Sequence, residues 1–247
     1  MPIVGERWEI YASEEEDGRR VVTFDLDLAN QTVRQSSVCH RVLLRFPAPH
    51  VLPSGMPKPE AAVPMRLAEE ALIGALEKAD VRCRLAARTT YAGHREFAFQ
   101  VEDETAFMPI VDAWRKMQTW ETRVVCHDGW EYFDDAILPT PAQWEQIRTR
   151  SKVTALLEGG TDPAAIHEFA HVFLGPEDAL AHIAADLSDD GFRPSAQGGA
   201  RLVLVQDAAL DIDEITTTTQ MLAIVATEHG AIYDGWTAAI VPLPACP

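Results

Sequence analysis

The tripeptide Asp-Gly-Trp occurs twice in this chain, and each copy follows a similar succession of residue patterns. The first copy lies in His-Asp-Gly-Trp-Glu-Tyr-Phe at residues 127–133, and the second in Tyr-Asp-Gly-Trp-Thr-Ala-Ala at residues 233–239. Before each copy the hydrophobic periodicity indicates a helix, a strand, a turn, a second strand and a second helix. We therefore predict two related domains, each closed by a strand that carries Asp-Gly-Trp.

The composition is that of a folded protein with an acidic C-terminal part. Hydrophobic residues make up 47% of the 247 residues and charged residues 24%, which is enough apolar side chain for a core. The net charge is −17, and residues 151–247 contribute −11 of it through 3 Lys or Arg against 14 Asp or Glu. Such a surface repels nucleic-acid phosphates and can attract a basic protein, although acidic surfaces also serve solubility alone. We predict a protein partner with a basic surface and no direct nucleic-acid binding.

Membrane and secretion signals are missing from the sequence. No apolar run approaches the roughly 20 residues of a membrane span, and residues 1–7 lack the pattern of a signal peptide. The cysteines Cys39, Cys83, Cys126 and Cys246 are widely spaced and include no Cys-x-x-Cys pair. This usage is typical of buried thiols in a reducing compartment. We expect a cytoplasmic protein without membrane contact.

The N-terminal half alternates between strand and helix patterns. A hairpin is predicted around Asp17-Gly18, because glycine favours the positive φ of a tight turn. Prolines make residues 53–59 a stiff loop, and apolar residues at spacings of three and four predict a helix over 68–79. The pattern then predicts two strands, a helix and a closing strand, at residues 83–91, 97–101, 107–114 and from 124.

The C-terminal half repeats this order after a joining helix. Thr140-Pro141-Ala142-Gln143 has the pattern of a capping box, so we place the domain boundary near Leu138, with domains at 1–138 and 139–247. Asp211 and Glu214 predict the start of the last helix. Strand-helix-strand-strand-helix-strand is the ferredoxin-like order. We predict an α+β protein of two ferredoxin-like domains with antiparallel sheets and helices on one face, the first carrying an extra β-hairpin.

One enzymatic motif is present, in His167-Glu168-Phe169-Ala170-His171. On a helix, two histidines at this spacing bind zinc and the glutamate acts as a general base. The surrounding residues alternate as in a strand, and Gly175-Pro176 ends the segment soon after. On a strand the two histidines would lie roughly 13 Å apart, too far for one metal ion. We predict a strand, and we keep a zinc-dependent hydrolase as the alternative function.

The role of the two Asp-Gly-Trp segments has two interpretations. A tryptophan beside a glycine can form an exposed aromatic platform of the kind that interfaces use. It can equally pack into the core, with the glycine at a bulge or bend of the strand. Aromatic sheets that bind RNA interleave Lys or Arg with the rings, and the second half has almost no basic residues. We therefore set the RNA-binding interpretation aside.

Both halves resemble known families. Residues 145–241 resemble the regulator of ribonuclease E activity B family, through Gly160-Thr161-Asp162-Pro163, His167-x-Phe169, Gly191-Phe192 and Gly230-x-x-Tyr233-Asp234-Gly235-Trp236. The N-terminal half resembles an uncharacterised family that can precede such a domain. Its matching residues are Pro53-x-Gly55-Met56-Pro57, Thr90-x-x-Gly93-x-Arg95-Glu96 and Asp128-Gly129-Trp130-x-Tyr132.

The resemblance implies an acidic, ferredoxin-like protein that binds ribonuclease E and restrains or redirects RNA decay, and it supplies no catalytic residue. We predict a non-enzymatic protein-binding module, with ribonuclease E as a possible partner. We expect neither a cofactor nor a bound metal ion. The residues that we expect to contact the partner are Asp128, Trp130, Asp211, Asp213, Glu214, Tyr233, Asp234 and Trp236.

Overall fold

The chain forms two compact units. The computed structural model describes residues 3–32, 34 and 36–243. The first unit comprises Met1–Leu138 and the second Pro139–Pro247. Each contains an antiparallel sheet and helices, so the predicted mixed α+β class is confirmed.

The first unit begins with a hairpin and continues with strands and helices in alternation. In chain order its elements are β1 (Trp8–Glu15), β2 (Gly18–Asp25), α1 (Leu26–Ala29), β3 (Val38–Arg45), α2 (Pro59–Lys78), β4 (Cys83–Tyr91), β5 (His94–Val101), α3 (Glu104–Met117) and β6 (Thr122–Asp128). The strands form one sheet in the order β1-β2-β4-β5-β3-β6, and each neighbouring pair is antiparallel. The strand β6 therefore lies at an edge of this sheet, beside β3.

The core of the first unit lies between the sheet and its two long helices. Apolar residues that alternate along β3 and β5 face one side, where α2 and α3 cover them. The buried residues that meet here include Val42, Leu44, Phe97, Phe99, Leu72, Leu76, Phe107, Val111 and Trp114. The indole Nε1 of Trp114 donates a hydrogen bond of 2.9 Å to the carbonyl oxygen of Ala68, so the one polar atom of this ring is paired.

The second unit begins with a long capped helix. Its elements are α4 (Pro141–Glu158), β7 (Ile166–Leu174), α5 (Glu177–Asp186), β8 (Arg193–Gly198), β9 (Arg201–Ala209), α6 (Ile212–Glu228) and β10 (Ile232–Ala238). Thr140 and Gln143 form the predicted capping box at the start of α4. The sheet order is β10-β7-β9-β8, with antiparallel neighbours.

Two clusters of buried residues form the core of the second unit. Side chains of α5 and α6 pack on Phe173, Leu202, Leu204 and Tyr233 of the sheet. Further along the same strands, Phe169 and Trp236 pack against Val153 of α4 and against residues at the start of α6. Because β7 alternates, its odd-numbered residues from His167 to Phe173 are buried and Glu168 is exposed.

The two Asp-Gly-Trp segments have different structures, which corrects the prediction that both lie within a closing strand. In the first unit β6 ends at Asp128, and Gly129 turns the chain in the left-handed region with φ +57°. Trp130 therefore lies after the strand, in the turn before a short helical segment (Phe133–Ile137). In the second unit the whole segment lies inside β10, where Gly235 forms a bulge with φ +92°. The glycine of the tripeptide can adopt a positive φ in either structure, so the tertiary contacts of each unit decide between a turn and a bulge.

The cysteines match the sequence prediction in part. Cys39 and Cys83 are buried thiols, and burial raises the pKa of each to about 12. Cys126 is exposed at the sheet edge, which corrects the expectation of a buried thiol, because edge strands leave side chains open to solvent. Cys246 lies outside the described residues. Within the described part of the chain, none of the helices has the length and apolarity to span a bilayer.

Candidate functional site

The His167–His171 segment is a strand, as predicted, and its three polar residues do not form a zinc site. His167 and His171 are buried on one face of β7, whereas Glu168 points to the other face. Both rings already have partners: His167 Nε2 lies 2.9 Å from the Thr161 hydroxyl, and His171 Nδ1 lies 2.8 Å from the Tyr233 hydroxyl. The motif of the zinc-hydrolase alternative therefore lacks the helix that would bring its residues onto one metal ion.

The second Asp-Gly-Trp segment is held by polar contacts from α4. The indole Nε1 of Trp236 donates a hydrogen bond of 3.0 Å to the Thr149 hydroxyl, which is 3.2 Å from the Thr219 hydroxyl of α6. The ammonium group of Lys152 donates to the carbonyl oxygen of Trp236 at 2.6 Å. Trp236 is 1% exposed and Tyr233 6%. Their burial supports the core interpretation of this segment, and a role of their side chains in partner contact stays a prediction.

Gly235 is surrounded by charged groups of α4. A Cβ atom at this position would lie 3.0 Å from the Lys152 ammonium and 3.4 Å from a carboxylate oxygen of Glu145. Burial raises the pKa of Glu145, although the positive charges of Lys152 and Arg148 lower it in part. Burial lowers the pKa of Lys152, and the negative charge of Glu145 raises it in part. The glycine is therefore required both for its positive φ and for the space beside these groups.

Three of the predicted partner-binding residues surround the start of α6. Asp211 is the N-cap, and its carboxylate accepts hydrogen bonds from the backbone N–H groups of Asp213 at 2.9 Å and Glu214 at 3.1 Å. This confirms the predicted helix start. The side chains of Asp211, Asp213 and Glu214 are exposed, and Ile212 among them is 38% exposed. The surface combines three carboxylates with one apolar side chain, which suits a basic partner with an apolar contact of its own.

Asp234 is also exposed, but it lies apart from the start of α6: it stands between Tyr233 and Gly235, which pair with the C-terminal part of β7, whereas Ala209, just before α6, pairs with Ile166 at the other end of β7. Trp236 packs in one cluster with Leu210 and Ile215, the two residues that flank the acidic turn. We call Asp211, Ile212, Asp213 and Glu214 the acidic patch. The structure thus brings together three of the residues that the sequence analysis selected, Asp211, Asp213 and Glu214.

The remaining two predicted residues, Asp128 and Trp130, lie in the first unit. Asp128 is exposed at the end of β6, and Trp130 is half-buried. The guanidinium of Arg34 lies over the Trp130 ring, 4.7 Å from its centroid, and pairs with Asp134. This cation–π contact occupies one face of the ring, so Trp130 is part of a local polar cluster.

A second cluster in the first unit was not predicted. Glu96 is 6% exposed, and its carboxylate accepts from the Arg41 guanidinium at 2.5 Å and from the Tyr132 hydroxyl at 2.5 Å. Arg41 also stacks over the Tyr132 ring at 4.2 Å. Burial and the charge of Glu96 raise the pKa of Tyr132, so the hydroxyl remains a donor. These residues line a cavity of about 210 Å³, together with Arg20 and others.

The signal for this cluster was present in the sequence as two separate motifs. Glu96 ends the segment Thr90-x-x-Gly93-x-Arg95-Glu96, and Tyr132 ends Asp128-Gly129-Trp130-x-Tyr132. The sheet register places Arg41 beside Glu96 because β3 pairs with β5. Joining the two motifs required the strand order, which periodicity alone does not give.

Two family models match the chain, one in each unit. The model described as "Regulator of ribonuclease activity B" matches residues 146–237. The model described as "Family of unknown function (DUF695)" matches residues 6–138. The resemblances of both halves are thereby confirmed.

Individual proteins give the same picture for the second unit. A protein named "Regulator of ribonuclease activity B" from Pseudoalteromonas translucida is 31% identical over 103 residues, 38% of this chain and 92% of that protein. Its namesake from Photobacterium profundum is 31% identical over 105 residues, 37% of this chain and 78% of that protein.

A solved structure, of an unknown protein from Galdieria sulphuraria, aligns with 83% of this chain and 100% of its own at 10% identity. Its TM-score of 0.21 is too low to support an argument. The family and the individual relatives therefore carry the assignment. The chain belongs to the regulator of ribonuclease activity B family through its second unit, and to the family of unknown function DUF695 through its first.

Proposed function

We propose that this protein is a non-enzymatic regulator of RNA decay, whose second unit binds a ribonuclease of the ribonuclease E type and restrains it. The observation that carries the proposal is the 31% identity to a regulator of ribonuclease activity B along 92% of that protein's length. The His167–His171 motif lies on a strand and not on the helix that a zinc hydrolase requires, which is in keeping with binding rather than catalysis. A partner in RNA decay would place the protein in the cytoplasm.

Charge supports a basic protein surface as the target. Residues 139–247 hold 5 Lys or Arg against 15 Asp or Glu, a net charge of −10. Most of these carboxylates are exposed, including those of the acidic patch. A surface of one sign accelerates the encounter with a partner of the opposite sign and repels nucleic-acid phosphates. The second unit would therefore bind the nuclease itself and leave its RNA substrate free.

We propose the acidic patch as the contact surface. Asp211, Asp213 and Glu214 surround the exposed Ile212 at the start of α6. An apolar side chain within a ring of charges resembles the centre and rim of a small interface. Asp213 and Glu214 are the best residues to substitute, because Asp211 also caps α6.

We also propose that both units are ferredoxin-like domains, at 1–138 and 139–247. In the second unit the strands occur along the chain in the order β7-β8-β9-β10, and they lie side by side in the sheet in the order β10-β7-β9-β8. In the first unit β3, β4, β5 and β6 take the equivalent places, and the β1–β2 hairpin extends the sheet beyond β4. This order, with antiparallel neighbours, supports the assignment for both.

The proposal is tested by measuring binding of the full chain to purified ribonuclease E by biolayer interferometry at low and at physiological salt. We expect binding that weakens as the salt concentration rises. At 0.15 M ionic strength, salt largely screens the interactions between exposed charges that are more than about 8 Å apart. The double variant Asp213→Lys/Glu214→Lys is expected to weaken binding at least tenfold, about 1.4 kcal/mol.

The matched control is Asp189→Lys/Asp190→Lys, which changes the net charge equally at two exposed residues outside the acidic patch. It should leave affinity within a few-fold of the parent chain. Circular dichroism must confirm that α6 is intact, since Asp213 and Glu214 each stabilise its first turn by about 0.3–1 kcal/mol. Equal losses in both variants would refute the patch, and no binding by the parent chain would refute the regulator proposal.

A further inference from the structure

A group of three metal-ligating side chains lies at the edge of the first unit's sheet. His40 of β3 and Cys126 of β6 are directly paired across the two antiparallel strands. Paired residues project from the same face of a sheet, with Cβ atoms about 4.5–5.5 Å apart. Glu104, the first residue of α3, reaches the same place from above the sheet. One nitrogen, one sulfur and one carboxylate oxygen from these residues all lie within 4.8 Å of one another.

His40 is the buried member of the group. Its side chain is 2% exposed, and its ring packs against Phe107 of α3 with centroids 5.2 Å apart. The Nε2 atom lies 3.1 Å from the Glu104 carboxylate without the angles of a hydrogen bond, and Nδ1 has no partner among the described residues. A buried polar atom without a partner destabilises the folded state, because it has lost its hydrogen bonds to water. Such an atom in a folded protein calls for an explanation, and an ion is one.

The imidazole is available as a ligand, because neither of its ring nitrogens has a hydrogen-bond partner among the described residues. Glu104 and Cys126 are exposed, so an ion can enter from solvent and the two side chains can adjust around it.

We propose that His40, Glu104 and Cys126 bind a zinc ion. Imidazole, thiolate and carboxylate are the three ligand types that zinc takes in proteins, at about 2.0–2.3 Å. Magnesium and calcium prefer oxygen ligands alone, so the sulfur and nitrogen atoms exclude them as the intended ion. Three protein ligands leave a fourth position open towards solvent. This site belongs to the first unit, whereas the His167–His171 motif and the acidic patch belong to the second.

The test uses the full chain, freed of metal with a chelator and titrated with cobalt(II) chloride. Cobalt replaces zinc in such sites and reports a thiolate ligand by a charge-transfer absorption band. We expect one equivalent to produce that band, and zinc chloride to remove it by displacement. Cys126→Ser should abolish the band, and His40→Gln and Glu104→Gln should each weaken cobalt binding at least tenfold.

The matched control is His127→Ala. His127 adjoins Cys126 in β6 but projects from the opposite face, where it stacks on Tyr132. This variant should keep the band and the affinity of the parent chain. No charge-transfer band in the parent chain, or a band that survives Cys126→Ser, would overturn the proposal. The substitutions at His40 and Cys126 could lose binding simply by unfolding the protein, which circular dichroism would show. Glu104→Gln is free of this ambiguity, because Glu104 is exposed and its substitution leaves the core unchanged. Unchanged cobalt binding in Glu104→Gln would therefore also contradict the proposed site.

Discussion

His171 is a titratable side chain placed almost entirely among aromatic rings. It lies near Phe169, Phe192 and Tyr233, and it hydrogen bonds the Tyr233 hydroxyl through Nδ1. Its Nε2 atom has no partner among the described residues. Burial, with a smaller effect of the Lys152 charge, lowers the pKa of His171 to about 4. The ring is therefore neutral in the folded chain at neutral pH.

This pKa predicts that the second unit becomes less stable in mild acid. An unfolded histidine has a pKa of about 6.5 and binds a proton between pH 6.5 and 4, where the folded ring does not. The unfolded state is thus favoured as the pH falls through this window, by up to about 3 kcal/mol from this residue. The free energy of unfolding, measured with urea at pH 7, 6 and 5, should fall accordingly.

The variant His171→Asn isolates this contribution, because carboxylates also change stability with pH. Its own stability is expected to be lower at pH 7, where packing is lost, but to change less between pH 7 and 5. The control His182→Asn removes an exposed histidine of α5 and should keep the slope of the parent chain. A parallel slope in His171→Asn would contradict the prediction.

Single residues differ in how far the sequence reveals their roles. Alternation along residues 166–174 was sufficient to predict that this segment is a strand. Alternation could not show that the Glu96 carboxylate meets Arg41 and Tyr132, since these residues come from three separate segments. For the same reason, alternation could not show that His40, Glu104 and Cys126 lie close together. Expecting no metal ion was a reasonable conclusion from motifs, which record only neighbours in the chain.

At the scale of elements, the bulge of β10 depends on Gly235. The backbone there has φ +92°, which strains any residue with a Cβ atom, and a Cβ would approach the Lys152 ammonium to 3.0 Å. We predict that Gly235→Ala destabilises the second unit by about 1–3 kcal/mol. Urea denaturation at pH 7 measures this loss.

The control is Gly198→Ala at the end of β8. An added Cβ atom meets no neighbour within 4 Å there, and the backbone is not left-handed. Its effect should stay within about 0.5 kcal/mol, as for most exposed substitutions. Similar losses at both glycines would show that the bulge has no special requirement.

Helix ends were the elements that the sequence predicted best. Thr140 and Asp211 cap α4 and α6 as expected, because a cap is a contact between residues two or three apart. The two Asp-Gly-Trp segments were predicted less well. Local sequence is the same in both, whereas the surroundings differ: Gly235 lies beside charged groups of α4, and Gly129 has no neighbour within 4 Å of an added Cβ.

At the scale of the whole molecule, the second unit has a core made from its own residues. Both of its clusters, around Phe173 and around Trp236, consist of residues after position 139. We predict that residues 139–247 fold alone and unfold in a single cooperative transition, since a domain of this size can bury enough apolar surface. Urea denaturation followed by tryptophan fluorescence and by circular dichroism should give coincident curves.

A shorter chain, residues 160–247, is the comparison. It lacks α4, and with it Val153 of the core and the Thr149 hydroxyl that accepts from Trp236. This chain should lose its cooperative transition. A cooperative transition in the shorter chain, or its absence in residues 139–247, would contradict the proposed domain.

The position of β10 at the edge of its sheet has a further consequence. Among the described residues of the second unit, β7 is the one strand that pairs with β10, so the other edge of β10 has backbone groups that another strand could join. The bulge at Gly235 bends this edge, and the exposed Asp234 places a charge on it. Bulges and charges on edge strands oppose strand addition and hence aggregation. We therefore expect the segment that closes this domain to oppose strand addition by a second copy of the chain.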